Sequence, residues 1–193
     1  MAGRRWLSRV KSSAAYWLSV LRGWWLVLEP GAIVRVGRIR VGPRATVHVE
    51  AGATLTLLGD FYIDHDAEVV VYSGGHLTVG EHVYIGHGAT IACAERIQVG
   101  ANTLVGDLVS VRDMNHRRIR GVPLRLSGAE TRPVRIGENC WLGSKVTFVA
   151  GAEVGNDVTV AANAVVTGKF GDGLTIGGVP ARPLQHLTET IRS

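Results

Sequence analysis

From Val79 onward an aliphatic residue returns at every sixth position, most often followed by Gly or Ala. The clearest copies begin at Val79 (VGEHVY), Ile85 (IGHGAT), Val99 (VGANTL) and Val105 (VGDLVS), and resume at Ile136 (IGENCW), Leu142 (LGSKVT), Val154 (VGNDVT) and Val160 (VAANAV). Weaker copies start at Val41, Ile91 and Phe148. Neither a helical period nor strand alternation produces a six-residue beat with a recurring glycine. Each hexad therefore reads as a short strand plus a turn. Its aliphatic residue points inward and stacks on its counterpart one coil away, and its small fifth residue points inward where space is tight. The glycine is expected to permit the close turn. Three hexads make one triangular coil, so the chain is predicted to be an all-β parallel β-helix. A two-residue slip in register between Ile97 and Val99 fits a loosened corner.

The beat breaks once. It stops at Val111, and residues 112–135 run without it before Ile136 restores it. His116 lies inside this break, in the stretch VSVRDMNHRRIRG. The neighbouring Arg112, Arg117, Arg118 and Arg120 read as a solvated loop that an anionic or carbohydrate ligand could use.

Composition narrows the remaining classes. The 193 residues fit one domain with a helical appendage and suffice for a real core. Twenty-five glycines against six prolines suit many tight turns rather than disorder. The net charge of +5 hints at an anionic partner, but no concentrated basic patch interleaved with aromatics appears in the repeat region to support nucleic acid. Cys93 and Cys140 lack metal or redox spacing and read as small apolar fillers in a reducing compartment.

The N-terminus is a different material. Residues 4–28 read as a helix stopped before Pro30, with Leu7, Val10, Ala14, Trp17, Leu18, Leu21, Trp25 and Leu28 forming an apolar stripe. Arg4, Arg5, Arg9, Lys11 and Arg22 supply positive charge, and four of the chain's five tryptophans (Trp6, Trp17, Trp24 and Trp25) lie here. The segment is too short in apolar run to span a bilayer. Charges continuing through Arg22 disfavour a secretory signal, and Ala2 stands where myristoylation needs glycine. Two readings stay open: an interfacial helix on an anionic membrane surface, or a helix packed on the first coils or on another subunit.

The pieces MNH, then IGENCWLGSKVTFVAGAEVGNDVTVAANAVVT, then GGVPARPL resemble, in order and spacing, the hexapeptide-repeat acyltransferases. The likeness is to their sugar and polysaccharide O-acetyltransferase branch, which includes galactoside and maltose acetyltransferases. It covers about residues 31–186, leaving residues 1–30 as the amphipathic helix and 187–193 as a tail. The resemblance implies a left-handed β-helix, although the general crossover rule favours the opposite hand. It implies acetyl-CoA as co-substrate, no metal, a sugar or glycan acceptor, and a homotrimer with the CoA groove between adjacent β-helices. Cytoplasmic placement is expected, with peripheral contact at the inner membrane face through residues 4–28.

Site residues carry over by position. His116 holds the place of the catalytic base, in the loop at 112–135. Acyl transfer from a thioester to a hydroxyl needs a proton removed, and imidazole, with an ordinary pKa of about 6.5, suits that task near neutrality. Asp113, Glu130 or a backbone carbonyl would orient the ring. Asn115, His87, Tyr84 and Trp141 are acceptor-side candidates. His87 and Tyr84 fall in a coil where galactoside and maltose relatives carry asparagine, which argues against a simple galactoside or maltose. Trp141, Ser144, Ala162, Thr167, Lys169 and Arg182 are donor-side candidates, Lys169 standing one place beyond the corresponding lysine. An amino-sugar nitrogen or a small-molecule antibiotic is the alternative acceptor. The γ-carbonic anhydrases share the fold and resemble IGHGA, with His82 and His87 five apart, but Ala92 stands where they carry a further histidine. A non-catalytic scaffold is the remaining rival.

Overall fold

Parallel strands wind into a three-faced solenoid in the computed structural model, which describes residues 14–25, 30–35 and 37–184. The first face holds seven strands, from Ala32–Arg35 to Lys169–Phe170. The second holds eight, from Ile39–Val41 to Thr175–Gly177 with Arg182–Pro183 added antiparallel. The third holds six, from Thr46–Val49 to Val165–Val166. Inward aliphatics stack in register: Ile63 on Ile85, Ile85 on Val105, Val105 on Leu142, Leu142 on Val160 and Val160 on Ile176, all buried. The fifth hexad residues, among them Ala89, Thr103, Cys140, Val146, Val158 and Ala164, are buried as expected. Cys93 and Cys140 are free and buried, and burial first, then the nearby Asp113, pushes the Cys93 thiol up to about 12.

Coil length explains why the beat is faint before Val79. Ile63 pairs with Ile85, 22 positions on; Ile85 pairs with Val105, 20 on; Leu142 pairs with Val160, 18 on. Only coils near the end of the chain are three clean hexads. The earlier ones carry longer strands with two inward residues each, as in Thr54–Leu57 and Glu68–Val71.

The recurring glycine has a different role from the one the repeat suggests. Gly100 and Gly137 follow inward residues with no left-handed backbone. A Cβ on Gly100 would collide with the Gly137–Glu138 backbone, and one on Gly137 with Gly155. Close approach of successive coils requires them. The left-handed corner falls two residues later, at Asn102 (φ 58°), Asn139 (φ 53°) and Asp157 (φ 57°). Asn tolerates that conformation better than most residues.

A helix, Ala14–Trp25, packs against the strand Ile39–Val41 at the open end of the solenoid. Ser19 is buried, whereas Trp17, Leu18 and Leu21 are 67%, 50% and 53% exposed. The helix thus meets the coils, but the central part of its apolar stripe faces outward. The rest of the expected 4–28 helix and the tail 187–193 lie outside the described residues, as do the side chains of Trp6, Trp24 and Trp25. No helix among the described residues is long and apolar enough to cross a membrane.

Candidate active site

The corner joining the second face to the third carries one column of residues, each two places after an inward aliphatic. It runs His65, His87, Asp107, Ser144, Ala162. The Leu108 N–H donates to the His87 carbonyl (2.8 Å), Lys145 to Asp107 (2.8 Å) and Asn163 to Ser144 (3.0 Å). Ser144 and Ala162 are exposed on adjacent coils, so their backbone groups can track an extended ligand. Beside this column, the outward residues of the second face form an aromatic and aliphatic stripe: Tyr62, Tyr84, Leu104 and Trp141, in continuous register. Leu104 and Trp141 are 51% and 57% exposed.

At the N-terminal end of the column the structure builds a polar network. Asp64 accepts from the Tyr84 hydroxyl at 2.5 Å, from the His65 backbone N–H at 2.7 Å, and contacts His65 Nδ1 at 2.8 Å. Burial opposes ionisation of Asp64, but the bonds from Tyr84 and His65 outweigh it and hold the carboxyl below the ordinary range. Burial first, then the bond to Asp64, pushes the Tyr84 phenol well up. The His65 and His87 rings stack with centroids 4.1 Å apart, and Tyr62 stacks on Tyr84 at 5.5 Å. Sequence reading found Tyr84 and His87 but missed Asp64 and His65. The signal was there: His65 precedes His87 by one 22-residue coil.

His65, Asp66 and His87 bring three metal-ligating atoms within 4.8 Å of one another. Asp66 is already held by the Arg44 guanidinium through two contacts of 2.6 Å, which keep its carboxyl low. The cluster is therefore internally paired. His82 does not join it, since it sits on the opposite corner of the second face, before the strand Val83–Ile85. The sequence pair His82 and His87 points to two different corners.

The break in the beat forms an arm. The strands Met114–His116 and Ala129–Thr131 pair antiparallel, leaving the corner between the third and first faces. The Arg132 N–H donates to the Asp113 carbonyl at 2.8 Å and closes the root. Ser127 Oγ donates to the carbonyls of Arg117 and Leu124, tying the tip. Asn115 and His116 are exposed on this arm. Neither candidate carboxylate orients His116. Asp113 is fully buried, and its oxygens accept the N–H groups of Ala94, Glu95 and Arg96 at 2.7 to 2.8 Å. Glu130 lies opposite Asn115 while His116 lies opposite Ala129, so Glu130 projects from the other side of the hairpin.

The predicted residues fall into two groups. Tyr84, His87, Trp141, Ser144 and Ala162 share the second face and its corner with the third. Arg182 joins them through its pairing with Gly177, its guanidinium donating to the Ala181 carbonyl at 2.8 Å. His116, Asn115 and Thr167 stand at the other edge of the third face. Lys169 lies on the first face, its Nζ 2.9 Å from Glu153. One protomer does not bring the two groups together.

Residues 133–168 match the family described as the hexapeptide repeat of succinyl-transferase. Over 121 residues the chain is 31% identical to a protein provisionally named lipopolysaccharide biosynthesis O-acetyl transferase WbbJ, of Escherichia coli (strain K12), covering 58% of this chain and 59% of that one. It is 26% identical over 117 residues to the galactoside O-acetyltransferase of the same organism, covering 60% of this chain and 57% of that one. The matches thus span less than two thirds of either relative. Among solved structures, a mutant of AntD, an N-acyltransferase from Bacillus cereus in complex with dTDP-4-amino-4,6-dideoxyglucose and Coenzyme A, superposes with a TM-score of 0.64 at 15% identity, over 86% of this chain and 88% of that one. That likeness establishes the shared fold.

Proposed function

We propose that this hexapeptide-repeat chain is an acetyl-CoA-dependent O-acetyltransferase of a sugar or glycan, working as a homotrimer. One observation carries the reading: the arm with His116 and the ligand-tracking column stand on opposite edges of the third face. A cyclic neighbour would lay the arm of one protomer against the Tyr84–Trp141 stripe of the next and complete the site. The sugar-modifying names of both relatives support the acceptor class.

In that groove Trp141, the backbone of Ser144 and Ala162, and Arg182 hold the CoA chain, with Thr167 contributed across the interface. Neutral His116 takes the proton of the acceptor hydroxyl as its oxygen attacks the thioester carbonyl. A backbone N–H in the groove stabilises the oxyanion. The C–S bond then breaks, and the imidazolium returns the proton to the CoA thiolate. Tyr84, His87 and Asn115 orient the acceptor. No carboxylate among the described residues of its own protomer orients His116, so the neighbouring copy or a backbone carbonyl fixes its tautomer. The helix Ala14–Trp25, its stripe turned outward, gives peripheral contact with an anionic membrane face, placing the enzyme in the cytoplasm beside membrane-linked glycans.

The test is to incubate the full chain with acetyl-CoA and a panel of nucleotide sugars, oligosaccharides, amino sugars and lipid-linked glycans, reading added acetyl groups by mass. Light scattering on the same sample should give three copies. A monomer sinks the shared site, and acetylation confined to amines replaces the hydroxyl acceptor.

A further inference from the structure

The first face carries a groove of about 500 Å³ at the foot of the arm. Four cations line it, Arg96, Arg132, Arg135 and Lys169, with one carboxylate, Glu153, and the amide of Gln98. Four positive charges less one negative leave three in excess. The outward ladder Gln98, Arg135, Glu153, Lys169 runs in strict register across four strands. Glu153 contacts Lys169 at 2.9 Å and Arg135 at 3.8 Å, so its charge is shared by those two. The guanidinium groups of Arg96 and Arg132 have no carboxylate partner among the described residues. Arg132 lies along Gly151 (φ 86°), where a Cβ would sit 3.5 to 3.6 Å from its stem.

Such an excess of guanidinium around one concavity suits a ligand with several oxygens and more than one negative charge. The groove also has a fixed relation to the arm. Arg132 closes the arm's root against Asp113, and His116 lies three residues further out, roughly 10 Å at ~3.3 Å per strand residue. That span matches a diphosphate joined to one sugar ring.

We propose that this groove binds the diphosphate of an activated sugar acceptor, nucleotide- or lipid-linked, holding its sugar toward the arm. The acceptor's role rests on the acetyl-transfer reading; the diphosphate site itself does not. Lys169 then belongs to acceptor anchoring rather than to the CoA groove. The same ligand chemistry occurs in CoA itself, and the experiment separates the two sources.

Inorganic pyrophosphate is titrated into the full chain by calorimetry at low salt, with and without saturating CoA. Saturable binding is expected, unaffected by CoA and weakened by salt. Arg96→Ala combined with Arg132→Ala should weaken it at least tenfold, while Glu153→Gln should tighten it several-fold. Both variants should bind CoA as the parent does. No saturable binding, or equal affinity in the arginine variant, overturns the proposal. Displacement of pyrophosphate by CoA overturns it too, assigning the groove to the donor. Binding with all the expected properties in a protein that acetylates no sugar leaves the groove standing and sinks the transfer reading.

Discussion

Asp113 and Ala94 are joined across a coil corner, the carboxylate Oδ1 accepting the Ala94 N–H at 2.7 Å. Oδ2 takes the N–H groups of Glu95 and Arg96. A residue beside the candidate base is thus committed to the root of the arm. Asp113→Ala strands three N–H groups and should cost about 3 kcal/mol or more in unfolding free energy. Asp113→Asn, which keeps an acceptor, should cost less. Denaturant melts of both variants check the order; equal stability for Asp113→Ala and the parent contradicts it.

His116 is exposed on the arm. His116→Ala should therefore leave the melting temperature and CoA affinity unchanged while lowering the acetylation rate by about 10² to 10⁴. A variant retaining most of the parent's activity removes His116 from the chemistry.

Asp64 is held below the ordinary carboxylate range once its hydrogen bonds outweigh burial. Its unfolded value lies near 3.9. A depressed folded value means stabilisation that is complete above roughly pH 4 and is lost as pH falls through the lower folded value. Asp60, held low by Arg38, and Asp66, held low by Arg44, share that direction. Melting temperature should fall steeply only below about pH 4. Asp64→Asn should shallow that fall and cost on the order of 1 kcal/mol at neutral pH. An acid limb unchanged by the substitution assigns it to other groups.

Trp17, Leu18 and Leu21 face outward while Ser19 faces the coils. Leu18→Glu with Leu21→Glu should abolish flotation with anionic vesicles and leave thermal stability within about 0.5 kcal/mol of the parent. Loss of stability without loss of vesicle binding would make the stripe a packing surface. Deleting residues 1–28 should also abolish flotation, and high salt should weaken it through the basic residues, each worth about 1 kcal/mol at an anionic surface.

The six-residue beat alone determined the solenoid, because a repeat that places one aliphatic inward per strand has a single economical way to bury them all. Its interruption determined where the arm leaves, and the resemblance of the stretch after Ile136 to the hexapeptide-repeat acyltransferases singled out Trp141, Ser144 and Ala162. Three things needed the tertiary structure. The 22-residue coils hid His65 under His87, since a longer strand shifts the period without spoiling the stacking. The role of Gly100 and Gly137 lay in the separation between coils, which the local pattern around a turn does not record. Asp113 and His116 are three residues apart in one strand-like segment, yet one is buried beneath a neighbouring corner and the other stands in solvent. Proximity along a chain fixes neither burial nor partner; those follow from which backbone N–H groups the fold leaves unpaired, and here the corner at Ala94, Glu95 and Arg96 claimed the carboxylate.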